Sequence, residues 1–385
     1  MKASVKEQSV KDIFQSSGAI AEKVLYTMGD SNLPPASRPK LTNLSRIANR
    51  AMEALRPKEP HDAMFEIAYN FLPEDFLKAE IQHDSQRLLI FATADQLDLL
   101  VNMRTWYVDG TFKVVKRPFV QLFSIHGFVT ADDNENAAKQ VPLVFVLMTR
   151  RQTSDYVKVF EALLDLLPRR AAVQTLVADF EKATWAAARV TIPGVVIRGC
   201  NFHWNQAIWR KVQEVGLQVE YMQKTDVYTT IRRVMALPFV PSDEVENCFN
   251  MIRVPEGGNE KMEQLCRYVD RNWIHSQTFP IQSWNVFGVS TRTNNDCEGW
   301  HRRLSHTARD TTPPFYVLVP LLHEEAKKLP LQKQMVEEGA LTRLQRSATR
   351  QFQGKIFRLW SKYEAEIITC LELLNTISKI NGPVL

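Results

Sequence analysis

The sequence predicts an α/β fold: a mixed sheet flanked by helices, with an all-α insertion and a helical C-terminal tail. Three observations carry this. Three apolar, β-branched segments follow one another between about residues 104 and 150 with short connections, the pattern of an antiparallel meander. Short apolar strands then alternate with helices, giving the order β-β-β-α-β-α-β-α. From about 218 to 290 apolar residues recur only at three-four spacing, which reads as helix throughout. A stretch that long without structure of its own would be unusual in a compact domain.

Residues 1–84 are polar and interrupted, and read as an N-terminal linker and helical region. NLPPASRPK, from Asn32, is a Pro-rich break, and LTNLSRIANRAMEALRPKEP predicts a short amphipathic helix ended by Pro57. Residues 85–217 form the first part of the core. RLLIFATADQLDLL gives a strand and then a helix. In RTWYVDGTFKVV, the residues Trp106, Tyr107, Val108, Phe112, Val114 and Val115 read as strand, with Asp109 and Gly110 in its middle. Asp and Gly are depleted in strand interiors, and a strand Gly often marks close approach by a backbone or ligand. Asp-Gly is also a hairpin signal. On these residues alone Asp109 is either a turn residue or a functional carboxylate.

RPFVQLFSIHGFV and QVPLVFVLMTR supply the second and third strands. TSDYVKVFEALLDLL changes period, placing Tyr156, Phe160, Leu163, Leu164 and Leu167 on one helical face with Thr153 or Ser154 as cap. TLVA is a strand ending at Asp179, before an Ala-rich helix that Asp179 could cap. Glu181 is close by, and at a helix start would face solvent. GVVIRGC is a further strand. FHWNQAIWRKVQEVG is a helix with Trp204, Ala207, Ile208, Val212 and Val215 inward and Gly216 at its C-terminal end. Residues 218–290 are the all-α insertion, 291–312 a polar loop and last core helix, and 313–385 a helical C-terminal region.

Composition is that of an ordinary globular chain: 45% hydrophobic, 24% charged, net charge +5 over 385 residues. The mild basicity is compatible with a polyanionic partner. Apolar runs such as VPLVFVLM fall well short of the roughly 18 residues a membrane helix needs, and MKASVKEQSVKDIF lacks the apolar stretch of a secretory signal. Five scattered cysteines argue against a disulfide framework, and no Cys-x-x-Cys pair offers a zinc finger of common spacing.

Three carboxylates stand out: Asp109, Asp179 and Glu298. Two-metal phosphodiester chemistry needs acidic oxygens converging on cations about 3.5–4 Å apart. Mg²⁺ keeps waters, so two or three carboxylates plus substrate phosphates suffice. A meander, a helix and then a strand ending in Asp would make the first and fourth strands neighbours, so that Asp109 and Asp179 meet.

DGTF (109–112), ADFEKA (178–183), GCNFHWNQAIWR (199–210) and RTNNDCEGWH (292–301) resemble the motifs of Mutator-like (MULE-type) DNA transposases in a Phantom-like spelling. The resemblance covers roughly residues 85 to 310, and LSRIANRAMEALRPKEP resembles the segment between the family's DNA-binding finger and its core. It implies an RNase H-like catalytic core whose helical insertion precedes the last acid. Asp109, Asp179 and Glu298 become the metal-binding and catalytic acids, with two Mg²⁺ or Mn²⁺ ions. Asp296 competes with Glu298 but would cap the helix. The family's Cys-x-x-His element falls on Cys200 and His203, either a partial zinc site, completed by Cys297 or His301, or a packed Cys beside an active-site His. Asn294 and Asn295 would orient substrate or cap the next helix. His301 shares the helix face of Glu298, to contact a phosphate or lie at the surface. Trp204, Trp209 and Trp300 read as core, although an aromatic near the cleft could stack on a flipped base.

The expected partner is double-stranded DNA, transposon ends and target, with no membrane association. A homodimer or higher oligomer and a nuclear location follow from the resemblance and the substrate. No Cys/His cluster before residue 200 supplies the family's finger. Two rival readings therefore stand beside an active transposase: a truncated or domesticated relative that binds without cutting, and a nuclease acting on RNA or hybrid.

Overall fold

The computed structural model describes residues 1–383 except 12, 14, 30–33, 35–38, 132–133, 225, 254–258, 290–294, 309–311 and 342–346. Helices α1 (Lys2–Lys11), α2 (Ser17–Met28) and α3 (Leu41–Glu53) pack on one another around Val5, Ile20, Val24, Leu44, Ala48 and Met52. Among the described residues, this cluster holds no residue from the rest of the chain. The amphipathic helix expected before Pro57 is α3, whose last residue is Glu53.

The sheet begins at β1 (Leu77–His83), which pairs antiparallel with β2 (Gln86–Phe91). Their turn places Asp84 and Ser85 at φ 49° and 58°, the conformation of a hairpin turn whose twist suits the strands. Helix α4 (Ala94–Leu100), capped by Thr93 and Gln96, leads into β3 (Thr105–Thr111), β4 (Gln121–Ala131) and β5 (Asn134–Met148). These three form the meander. Then come α5 (Thr153–Leu166), β6 (Thr175–Ala178), α6 (Lys182–Thr191), β7 (Val196–Gly199) and α7 (Asn201–Glu214), in the predicted alternation. The sheet order is β1-β2-β5-β4-β3-β6-β7; β6 pairs parallel with β3 on one side and β7 on the other.

Two details differ from expectation. The first strand ends at Thr111, so Phe112, Val114 and Val115 are outside the sheet. Val114 and Val115 are buried instead with Phe119 and Phe315, and that packing outweighs their strand preference. Helix α5 is capped by Gln152 rather than Thr153 or Ser154, because Asp155 reaches back to the Gln152 N–H (2.8 Å) while Arg150 holds the same carboxylate.

The span after α7 is helical: α8 (Gln218–Met222), α9 (Asp226–Ala236), α10 (Val245–Ile252), α11 (Glu260–Val269), continuing as a π-helical turn over Asp270–Ile274, and α12 (Ile281–Trp284). Next are α13 (Asn295–Thr307), α14 (Phe315–Ala326), α15 (Leu329–Glu337), α16 (Ser347–Glu364) and α17 (Cys370–Ile380). Both sheet faces are covered. Leu89, Phe91, Leu122, Phe145 and Leu147 point toward α13 and α14, whereas Leu88, Ile90, Trp106, Ile125 and Val144 join the larger core with α5, α6 and the insertion. This alternation is the period of two expected of strands buried on both faces. Helix α17 packs against α9 of the insertion. Among the described residues, no helix is long and apolar enough to cross a membrane.

Candidate active site

Asp109 lies inside β3, opposite Ser124 of β4, so the Asp-Gly pair is not a hairpin turn. Its carboxylate is 5% exposed. Oδ1 accepts the Gly110 N–H at 2.9 Å, while Oδ2 accepts no hydrogen bond and faces His301 Nδ1 at 3.4 Å. Gly110 is required by packing: a Cβ there would stand 2.7 Å from Gln121 Oε1. The Gln121 amide donates to the Tyr156 hydroxyl (2.9 Å), which donates to Glu181 Oε2 (2.9 Å). Burial pushes the Asp109 carboxyl up to about 7; His203 pulls the other way, and Glu298 and Asp179 add to the rise.

Asp179 follows β6 directly. The parallel register Tyr107↔Val177 brings residues two further along each strand, Asp109 and Asp179, to the same level. Burial raises the Asp179 carboxyl, against His203 and the Glu181 N–H. Helix α6 starts at Lys182 with Glu181 at its cap position, so Asp179 sits before the helix rather than capping it. Its Oδ1 accepts the Glu181 N–H at 3.3 Å, and its carbonyl accepts the Trp185 indole N–H at 2.6 Å. Phe180 lies over Gly199, where a Cβ would meet the ring at 2.2 Å. The expectation that Glu181 faces solvent is corrected. It is half-buried, bound by Tyr156 and 3.7 Å from Arg151, and burial raises its carboxyl. Tyr156 is anchored in the core on α5, and its hydroxyl draws Glu181 inward.

Cys200 takes the cap position of α7 and is buried at the end of β7. That position puts His203 in the first turn, with Nε2 3.3 Å from Glu298 Oε1. Burial opposes a charge on His203, but Cys200, Glu298 and Asp109 outweigh it and raise the imidazole to about 11. Glu298 is held below the usual carboxylate range by its hydrogen bond to His203, against burial. One turn along α13, His301 is 6% exposed rather than at the surface. Its Nε2 lies 3.3 Å from Ser124 Oγ, which lies 2.9 Å from His126 Nε2. Burial lowers the His301 imidazole to about 4 and holds that of His126 well below its ordinary range, so both are neutral near pH 7.

The remaining positions separate. Asp296 does not line the cleft, and its charge acts on Lys139. Cys297 is buried, its Sγ donating to Gln140 Oε1 at 3.2 Å. Asn295 opens α13, and Asn294 lies outside the described residues. Among the described residues, Asp109, His203 and Glu298 each offer a ligand atom within 4.8 Å of the others. Asp179, Cys200 and Cys297 do not belong to that group, although Asp179 lines the same cavity. The Asp109 oxygen that lacks a hydrogen bond is what a metal-binding carboxylate presents.

These groups lie in a cavity of about 1150 Å³ between the sheet, α13 and the insertion. Exposed Lys113, Lys182, Arg210, Arg271 and Arg302 ring it. The insertion's wall is the π-helical turn carrying Arg271 and Asn272, followed by His275 and Gln277; such turns are frequent at functional sites. Sequence reasoning missed this wall and Ser124. The alternation of inward residues along β4 is the one signal that could have placed Ser124 beside Asp109.

Residues 105–207 match the model of the MULE transposase domain family. The match runs from β3 into α7 and includes Asp109, Asp179, Cys200 and His203; it bears out the resemblance to Mutator-like transposases. No curated protein matches the chain.

Proposed function

We propose that the chain is the catalytic core of a DNA transposase, RNase H-like in fold, which cuts a phosphodiester at an element end and joins the freed 3′-OH to target DNA. The observation that supports this is that Asp109, Asp179 and Glu298 line one cation-ringed cavity, on a chain with a MULE transposase domain. The three acids would hold two Mg²⁺ or Mn²⁺ ions. Bound there, such ions would supply Lewis-acid activation and neutralise charge on the scissile phosphate.

The chain's own groups do the rest. Asp109 contributes an oxygen that no protein donor occupies. His203, an imidazolium at neutral pH in the metal-free chain, lends charge to Glu298 and Asp109 rather than a lone pair. His301 lines the cavity beside Asp109, with Nδ1 3.4 Å from Asp109 Oδ2, and would restrict how that oxygen turns. The rim cations Lys113, Arg210, Arg271 and Arg302 suit the DNA backbone, since phosphate contacts position the duplex without reading sequence. Double-stranded DNA is thus the proposed partner, in a nuclear homodimer or higher oligomer.

The test is Mn²⁺-dependent nicking of supercoiled plasmid, wild type beside Asp179→Ala, with folding checked by circular dichroism. Wild type nicks, and Asp179→Ala retains less than about 1% of the rate, since even outer-shell losses at metal sites cost 10–100-fold. Equal rates would remove Asp179 from the chemistry. A second reading, DNA binding without cutting, draws on the His203–Glu298 contact at 3.3 Å, which occupies the third acid. Calorimetry with Mn²⁺ separates the two: a binding-only protein takes up no pair of ions.

A further inference from the structure

Asp109 is followed, three residues on, by an aromatic that the fold leaves out of every apolar cluster. Phe112 is the first residue after β3, and 53% of it is exposed. It lines the same cavity as Asp109, Asp179 and Glu181. Single exposed apolar side chains are common and by themselves mean little. Phe112 differs in three respects. It stands on the wall of a polar, acid-floored cleft. The Arg151 guanidinium lies over its ring at 4.6 Å. Arg151 in turn is 3.7 Å from Glu181 and acts electrostatically on Asp179. A phenyl ring and an exposed cation are thus held together beside the acids.

The tryptophans that could have served as stacking surfaces are not available. Trp204 and Trp300 are fully packed, and Trp209 is half-buried against Tyr221 at 5.0 Å. Phe180, Tyr268, Trp273 and Phe279 also line the cavity, but Trp273 and Phe279 are buried and Phe180 and Tyr268 half-buried, whereas Phe112 is exposed. Stacking on an aromatic is sequence-tolerant, because every base has a π-face. A neighbouring arginine supplies the phosphate contact such platforms combine with.

We propose that Phe112 and Arg151 form a subsite for one unpaired nucleobase of the DNA strand beside the scissile phosphate. The base stacks on Phe112, and Arg151 binds the adjoining phosphate. The inference rests on the DNA reading of the cleft given above. It places strand separation at the cut site, since a base inside a duplex cannot reach a side-chain ring.

The experiment uses the full chain in EDTA, where no cutting occurs, and fluorescence anisotropy. The probe is a short labelled duplex ending in a four-nucleotide single-stranded tail, either of thymidines or of abasic sites. Wild type is expected to bind the thymidine tail about 5- to 150-fold more tightly than the abasic one. Phe112→Ala brings that ratio near one, Phe112→Trp keeps it, and Arg151→Ala weakens both probes alike. Both positions are exposed, so folding should be spared, and Phe112→Trp controls for it. Equal binding of the two tails by wild type, or a ratio untouched in Phe112→Ala, overturns the subsite while leaving the DNA reading intact. No binding of either probe overturns the DNA reading and the subsite together.

Discussion

The floor and the rim of the cleft are built on opposite terms. Asp109 and His301 on the floor, with Ser124 and His126 behind them, are buried and linked in a chain of short contacts. Lys113, Lys182, Arg210, Arg271 and Arg302 on the rim are exposed. Floor groups titrate far from their ordinary values because protein surrounds them: Asp109 is pushed up, His301 and His126 down. The floor therefore carries a stability cost that only a bound cation or proton relieves, as strained active sites often do. Rim groups stay hydrated and act on a partner through the field they make. Substitutions on the floor should move chemistry and stability together; substitutions on the rim should move binding and its salt dependence alone.

The largest expected effect is at Asp109. An acid whose pKa is raised in the fold binds its proton more tightly than the unfolded chain does. Stability then falls as pH rises from about 4 to about 7 and levels off above. The rise from 3.8 to about 7 corresponds to roughly 4 kcal/mol. Without divalent ions, Asp109→Asn should therefore melt higher than wild type, by a margin that grows from pH 4 to 7 and then stays level. With Mn²⁺ the order should invert, because the ion stabilises wild type by mass action. Differential scanning calorimetry at pH 4, 6 and 8 measures this, and an asparagine variant that melts lower at pH 8 without metal would refute the account of the floor.

Next is His301. Neutral at pH 7, it carries one ring N–H; with that proton on Nδ1 it faces Asp109 Oδ2 at 3.4 Å without hydrogen-bonding it in the metal-free chain, and Nε2 faces Ser124 Oγ at 3.3 Å. Groups that orient a metal-binding side chain are worth about 10–100-fold in metal affinity. His301→Ala should lose that much Mn²⁺ affinity by calorimetry, and His301→Gln, which keeps a donor, should recover most of it. A role in packing alone would predict the same loss for both. Gly110→Ala comes third. The added methyl collides with the Gln121 amide, and overpacking of this kind costs about 1–3 kcal/mol. A urea midpoint unchanged in that variant would mean that Gln121 moves away freely.

That Asp109, Asp179 and Glu298 line one cavity was legible because each sits at a marked place in its stretch. Asp109 breaks an apolar strand, Asp179 ends one, and Glu298 opens a helix. The strand order followed from period and connection length, so the meeting of Asp109 with Asp179 was legible too. What failed depended on distant partners. Glu181 turns inward because Tyr156, on another helix, bonds it. Phe112, Val114 and Val115 are strand-forming types, yet the second apolar core takes Val114 and Val115 and leaves Phe112 in the cleft. β1 was missed because its hairpin turns on Asp84-Ser85, without the Gly that signals such turns, and its residues are mostly half-buried. The rim was the least legible: Arg271 and Arg302 are ordinary surface arginines until the insertion and α13 bring them to one cavity.

That separation sets the smallest effect. Arg271 and Arg302 reach the cleft from different elements, α13 for Arg302 and the π-helical turn for Arg271. Each should neutralise about one phosphate, so each alanine substitution should lower the slope of log affinity against log salt by about 1. Melting temperature should hardly change, because exposed side chains outside any packed feature contribute within about 0.5 kcal/mol. Affinity for a plain duplex, measured by anisotropy between 50 and 200 mM salt (about a Debye length of 7–14 Å), is the readout. A slope that does not change on either substitution would place the DNA backbone elsewhere on the surface. A slope that falls for Arg302 but not for Arg271 would keep the duplex on α13 and leave the insertion's wall to a strand already separated.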